Sequence, residues 1–289
     1  MNKTVKYLLP ATIIDMGGFP VKQAFPTQKV NQVDPFLLLH HAQTKYSPLS
    51  PAKYQGIGPH PHRGFSPVTF IIEGEIHHRD SRGHSQIAKA GEVQWMHAGA
   101  GIVHSERPTE AMIKRNEQQE IIQLWINSPA SKKMIPPSYY YLSKANIPVF
   151  SSADGLIENK LIAGQYKQQK GQINTQSELL IIWGIAQAGG EQTLDIPSNH
   201  NAMIYLIKGS MRLHGYGMIE TEYLAVLNNE GSQIVASFSK DTQFLLLTGL
   251  PINEKVTQSG PFVMNTQTQI LEAIRDYQMG KMGVLIEDF

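Results

Sequence analysis

Hydrophobic residues in this chain come in short bursts. Apolar or alternating runs occupy positions 36–39, 68–72, 93–96 and 121–126, with Gly and Pro punctuating the gaps. Runs of this length, bounded by turn formers and rich in β-branched and aromatic residues, predict the strands of a sandwich or barrel. Asp80-Ser81-Arg82-Gly83 has turn composition, which predicts a hairpin over 68–88. A Pro and Ser cluster from Ser128 to Ser138 then interrupts the pattern, and further strand-like runs follow at 179–183, 203–207, 223–227 and 244–248. The cluster predicts a junction between domains at 1–135 and 136–289. Aligning Ile71-Ile72-Glu73-Gly74 with Leu206-Ile207-Lys208-Gly209 keeps an apolar strand before a glycine turn in both, which predicts two copies of one β-unit. The last pattern is helical. Thr266 and Gln269 have capping-box spacing, and Ile270, Leu271, Ile274 and Tyr277 recur at helical intervals before Gly280. An amphipathic C-terminal helix is expected, with the seam between the two β-domains as the place for its apolar face.

Composition narrows the classes. A length of 289 residues suits two domains of roughly 100 to 150 residues. Hydrophobic residues make up 41% and charged residues 17%, an ordinary globular balance. The formal charge is +1 and Lys and Arg are scattered, so no basic stripe marks a nucleic-acid or membrane surface. The apolar run at 8–14 is cut by Pro10 and followed by Asp15, so no secretory signal is expected and the expected location is cytoplasmic. With no cysteine, disulfides and thiolate metal sites are excluded, and any metal must be held by nitrogen and oxygen.

Such donors occur at a telling spacing. Gly-Pro-His-Pro-His-Arg-Gly-Phe at 58–65 carries His60 and His62, and Gly-Ile-Val-His-Ser-Glu at 101–106 carries His104 and Glu106. Residues two apart in a strand face the same way, so each pair presents both side chains to one point. Imidazoles with one carboxylate suit iron, zinc, nickel or copper. Opposite His60 and His62 the second half has Asp195 and Pro197, so a second site of this type is not expected there. His97 is expected to hydrogen-bond, and His77, His78 and His84, on or beside the hairpin turn, to face solvent. Of His40 and His41, adjacent in a strand, at most one faces inward. Trp95 is expected in the core, as are Phe65, Val68, Met96 and Ile102, for which the alternative is an apolar pocket over the metal.

His60-x-His62 with Glu73-Gly74, and Gly91-Glu92-Val93-Gln94-Trp95-Met96 leading through Ala98-Gly99 to His104-Ser105-Glu106, resemble the pirin family of the cupin superfamily. Asp34-Pro35-Phe36-Leu37-Leu38-Leu39 and Gly260-Pro261-Phe262-Val263-Met264-Asn265 extend the likeness over nearly the whole chain. The resemblance implies an all-β fold of two jelly-roll-like cupin barrels, face to face. It also implies one metal in the first barrel, held by His60, His62, His104 and Glu106. Iron(II) is the expected metal, with zinc, nickel, copper and manganese as alternatives. Quercetin 2,3-dioxygenase activity, on a flavonol and oxygen, is the implied reaction, with Glu106 as the base. The rival implication is a metal- or redox-sensing protein that regulates a protein partner, a metabolic enzyme or transcription factor, through a surface around Arg63 and Arg107. The chain departs from the family at Ser66 and Pro67, where Glu commonly follows the His-Arg-Gly-Phe run. It also has His97 for a Thr, and His40 and His41 for acidic residues.

Overall fold

The structure, a computed structural model, describes residues 1–287. Asp288 and Phe289, the last two residues of the expected second domain, lie outside the described residues. The chain forms two compact units that are not successive halves: one comprises Met1–Ile14, Lys22–Leu37 and Ala145–Ile252, the other Asp15–Val21, Leu38–Lys144 and the residues from Asn253 on. The division therefore differs from a single cut at 135/136. The reason lies in strand pairing and packing. Strand Val5–Pro10 pairs with Tyr223–Leu227, and the C-terminal helix Gln267–Gln278 buries Ile270 and Ala273 against Val103, Phe262, Met264 and Met282. The helix thus packs within the unit that carries His104, where its apolar face was expected at a seam.

In that unit, strands Ser138–Leu142, Val93–His97, Phe65–Glu73, Gln118–Asn127 and Phe36–Lys45 lie side by side in one sheet. A second sheet takes Ile57–His62, Ile102–Arg107, Glu75–Asp80 and Ser85–Lys89. Phe65, Val68, Phe70, Trp95, Ile102, Ile122 and Leu124 are buried, as the apolar runs require. The hairpin expected over 68–88 is two structures. Strand Phe65–Glu73 pairs with Gln118–Asn127, and only Glu75–Asp80 and Ser85–Lys89 form the hairpin around the predicted turn.

Gly74 makes the break between the sheets. Its φ is 77°, in the left-handed region that glycine enters without cost, and an added Cβ would lie 2.6 Å from the Gln118 carbonyl oxygen. The other unit repeats the device. Strand Asn201–Lys208 of its seven-stranded sheet ends at Gly209, φ 87°, and Ser210–Leu213 continues in a four-stranded sheet. An added Cβ there would lie 2.5 Å from the Asp241 carbonyl oxygen. The predicted repeat is therefore a shared sheet-to-sheet step. That unit closes over its own apolar cluster, including Leu180, Ile182, Ile204, Leu206, Phe244 and Leu246. No helix of the described residues is long and apolar enough to cross a membrane.

Candidate metal centre

Strands Ile57–His62 and Ile102–Arg107 run antiparallel with His60 opposite His104. The two-residue repeat brings His62 to the same face. The ring centroids lie 4.3 Å apart for His60 and His104, 4.9 Å for His62 and His104, and 4.8 Å for His60 and His62. One nitrogen from each imidazole falls within 4.8 Å of the others, a spacing suited to one ion. Not every ring nitrogen here is satisfied. Nε2 of His104 is buried with no hydrogen-bond partner among the described residues, a cost that a bound cation would remove, and the buried His62 ring has the Pro261 backbone near it. Burial, followed by the neighbouring histidines, pushes the pKa of both His62 and His104 well below the ordinary value, so both are neutral and in the ligating form. His60 Nδ1 sits 2.9 Å from the Gly58 carbonyl oxygen, which makes Nδ1 the donor and leaves Nε2 as the free lone pair. The donor set fits a divalent transition metal.

Glu106 is not in this group of three. Its buried carboxylate is held elsewhere: Thr69 Oγ1 donates to Oε1 at 3.1 Å and Gln123 Nε2 donates to Oε2 at 3.0 Å. Trp125 Nε1 donates in turn to Gln123 Oε1 at 3.1 Å, fixing that amide's orientation. Pairing between the strands loses register between His104 and Glu106, so that Glu106 lies opposite Ile57. Glu106 and Gln123 line a cavity of about 360 Å³, together with Gly58, His40, Tyr46 and Gln119. Val21, Ile57, Ile76 and Ile121 supply apolar wall. Tyr46 donates to Gln119 Oε1 at 2.9 Å, and burial, with the Glu106 carboxylate adding to it, pushes its phenol well above the ordinary value. The cavity thus joins an apolar wall to a few fixed polar groups, the composition of a small-molecule site.

Several residues fall elsewhere than expected. Of the adjacent pair, His40 lines the cavity while His41 meets Glu120 at 2.7 Å. His78 is buried, where solvent exposure was expected, because Ile76, His78 and Asp80 share the inward face of Glu75–Asp80. His77 pairs with Ser85 at 2.9 Å, and His84 is exposed, as expected. Arg63 and Arg107 offer no open surface. Arg63 is buried and binds Asp276 through both terminal nitrogens at 3.1 Å, and Arg107 binds Glu287 at 2.8 Å. His97 accepts from Trp95 Nε1 at 3.3 Å, and its Nδ1 lies 2.7 Å from Ser66 Oγ. Two departures from the family pattern, Ser66 and His97, are therefore partners of each other. Thr69, Gln123 and Trp125 carried no motif; the signal was their alternation with buried neighbours on adjoining strands.

Comparison with known proteins gives this geometry a lineage. The family model described as Pirin matches residues 18–126, and that described as Pirin C-terminal cupin domain matches 184–283. The chain belongs to the pirin family. A pirin-like protein of Solanum lycopersicum is 36% identical over 282 residues, covering 96% of this chain and 92% of its own. A Pseudomonas aeruginosa protein provisionally named quercetin 2,3-dioxygenase is 36% identical over 267 residues, covering 91% of this pirin and 92% of its own length. The crystal structure of quercetin 2,3-dioxygenase from Acinetobacter baumannii superposes with a TM-score of 0.91 at 35% identity, covering 99% of this chain and 100% of that one. A bacterial pirin from Escherichia coli, solved in complex with nickel(II), shares the fold at a TM-score of 0.68 and 20% identity, covering 85% and 99%.

Proposed function

We propose that this pirin is a metal-dependent dioxygenase that cleaves flavonols such as quercetin, with iron(II) held by His60, His62 and His104. The observation that carries the reading is the pairing of three converging imidazoles, with His104 Nε2 buried and unsatisfied among the described residues, with a cavity that reaches Glu106 and Gly58. A divalent ion bound there supplies Lewis acidity and lowers the pKa of a hydroxyl held against it. The protein supplies the rest. Val21, Ile57, Ile76 and Ile121 offer apolar surface to a flat aromatic ligand, and the hydrogen bonds from Thr69 and Gln123 hold Glu106 ready to accept the hydroxyl proton. Glu106 joining the imidazoles as a fourth ligand is part of the proposal, since each carboxylate oxygen accepts one of these hydrogen bonds and keeps a second lone pair.

The test is direct. Protein loaded anaerobically with ferrous iron should bleach quercetin absorbance when oxygen is admitted. Glu106→Gln should retain metal and lose at least about 100-fold in turnover, the upper scale of a missing base being roughly 10⁴. Fully loaded wild type that leaves quercetin intact rules the activity out.

One observation favours a regulatory second role. The strand carrying His104 and Glu106 is tied through Arg107 to Glu287, and Ser81 Oγ donates to the Met282 carbonyl at 2.8 Å. A change of charge at the metal would be felt along that segment. Pull-downs with metal-loaded protein and with His60→Ala/His62→Ala should then differ, and identical catches dismiss the role.

A further inference from the structure

Behind His104 lies a chain of buried polar groups that metal binding and proton transfer do not use. Strand Glu75–Asp80 pairs with Ile102–Arg107 and sets Asp80 opposite His104. His78 Nε2 lies 3.0 Å from Asp80 Oδ2, and His78 Nδ1 lies 3.3 Å from His104 Nδ1. All three residues are buried.

The protons in this chain can be placed. An ionised carboxylate only accepts, so His78 Nε2 carries a hydrogen and donates it. With that hydrogen at Nε2 and a lone pair kept at His78 Nδ1, the group that faces the lone pair is an N–H on His104 Nδ1. His104 Nε2 is left without a proton, and it is buried with no hydrogen-bond partner among the described residues. Asp80 is itself immobilised: the backbone N–H groups of Arg82 and His84 donate to Oδ1 at 2.9 and 3.1 Å, and His84 Nδ1 donates to Oδ2 at 2.8 Å. Tyr139 stacks on the His78 ring at 4.2 Å and 16°, which fixes its plane.

We infer that Asp80 and His78 form a relay that locks His104 in the tautomer with a bare Nε2 and aims it toward His60 and His62. His78 and Asp80 are then positioning residues of the centre. The inference rests on the metal-binding reading of the three histidines. Partners of this kind, behind a ligand, typically carry roughly 10- to 100-fold in metal affinity. The same tautomer is imposed on His60 by the Gly58 carbonyl, so two of the three donors are set before any ion arrives.

The experiment reads the relay in two ways. Ring ¹H–¹⁵N correlation spectra of metal-stripped protein should show His104 protonated at Nδ1; protonation at Nε2 overturns the inference. Ni(II) alone, titrated against a chromophoric chelator, should bind His78→Phe roughly 10- to 100-fold more weakly than wild type. Phe keeps a ring against Tyr139 but accepts no hydrogen bond. His78→Gln, whose side-chain oxygen can accept from Nδ1–H, should recover part of the loss, and wild-type affinity in His78→Phe overturns the inference. Should His78→Phe fail to fold, Asp80→Asn keeps an acceptor for the turn, and its spectra should reveal a second, Nε2-protonated population at His104. Unchanged spectra overturn the relay. Wild type that binds no Ni(II) would instead remove the metal-binding reading, and the spectra would still decide the relay.

Discussion

Burial pushes the pKa of His40, on the cavity wall, down to about 4. An unfolded chain holds this imidazole near 6.5, so between the two values the unfolded state binds a proton that the folded state refuses. The stability associated with a neutral His40 is fully present above pH 6.5 and is lost as pH falls toward 4, by roughly 3 kcal/mol across the window. Chemical denaturation at pH 7 and pH 4.5 should therefore show a smaller acid loss for His40→Gln than for wild type; equal losses refute it. Single residues also mark what the chain disclosed in advance. His60, His62 and His104 were legible because a two-residue spacing and the donor chemistry agree. His78 was not, because two adjacent histidines beside a turn read as polar surface, and only counting by two from Ile76 puts His78 and Asp80 inside. Glu106 was legible as chemistry, while its hold by Thr69 and Gln123 depends on pairings between strands far apart in sequence.

At the scale of elements, the glycine steps between sheets should be the least tolerant positions of the strands. Gly74→Ala and Gly209→Ala each force a side chain onto a carbonyl oxygen in a left-handed backbone and should cost at least about 2 kcal/mol, read as a shift in the denaturation midpoint. A cost below about 0.5 kcal/mol at either would show that the backbone relaxes there. The C-terminal helix offers a milder test. Thr266 accepts from the Gln269 N–H, and Gln269 Oε1 accepts from the Thr266 N–H, the capping box read from the sequence. Thr266→Ala should cost about 1 kcal/mol by the same measurement. The helix itself was legible from its period, but its partner was not: Val103 and Phe262 are as apolar as many residues of either unit, and periodicity names a face without naming what covers it.

For the molecule as a whole, an ion taken up by the folded state alone adds to its stability. Ni(II) at a hundredfold excess over its dissociation constant should contribute roughly 2.7 kcal/mol, raising the melting temperature of wild type and leaving His60→Ala/His62→Ala unmoved. Equal shifts in both would place the ion elsewhere. The family was readable from motifs in the first half, whereas the order in which segments assemble was not, since Val5–Pro10 and the residues from Asn253 on join units remote from them in sequence. That threading has a consequence for synthesis. The ribosome finishes Leu38–Lys144, with every candidate ligand, long before it makes Val263, whose carbonyl accepts from buried Lys133, or Asp276, which neutralises Arg63 beside His62. At roughly 5–20 residues per second, the delay is about 6–26 s. During that time the nascent histidine strands lack the contacts that Val263 and Asp276 bring.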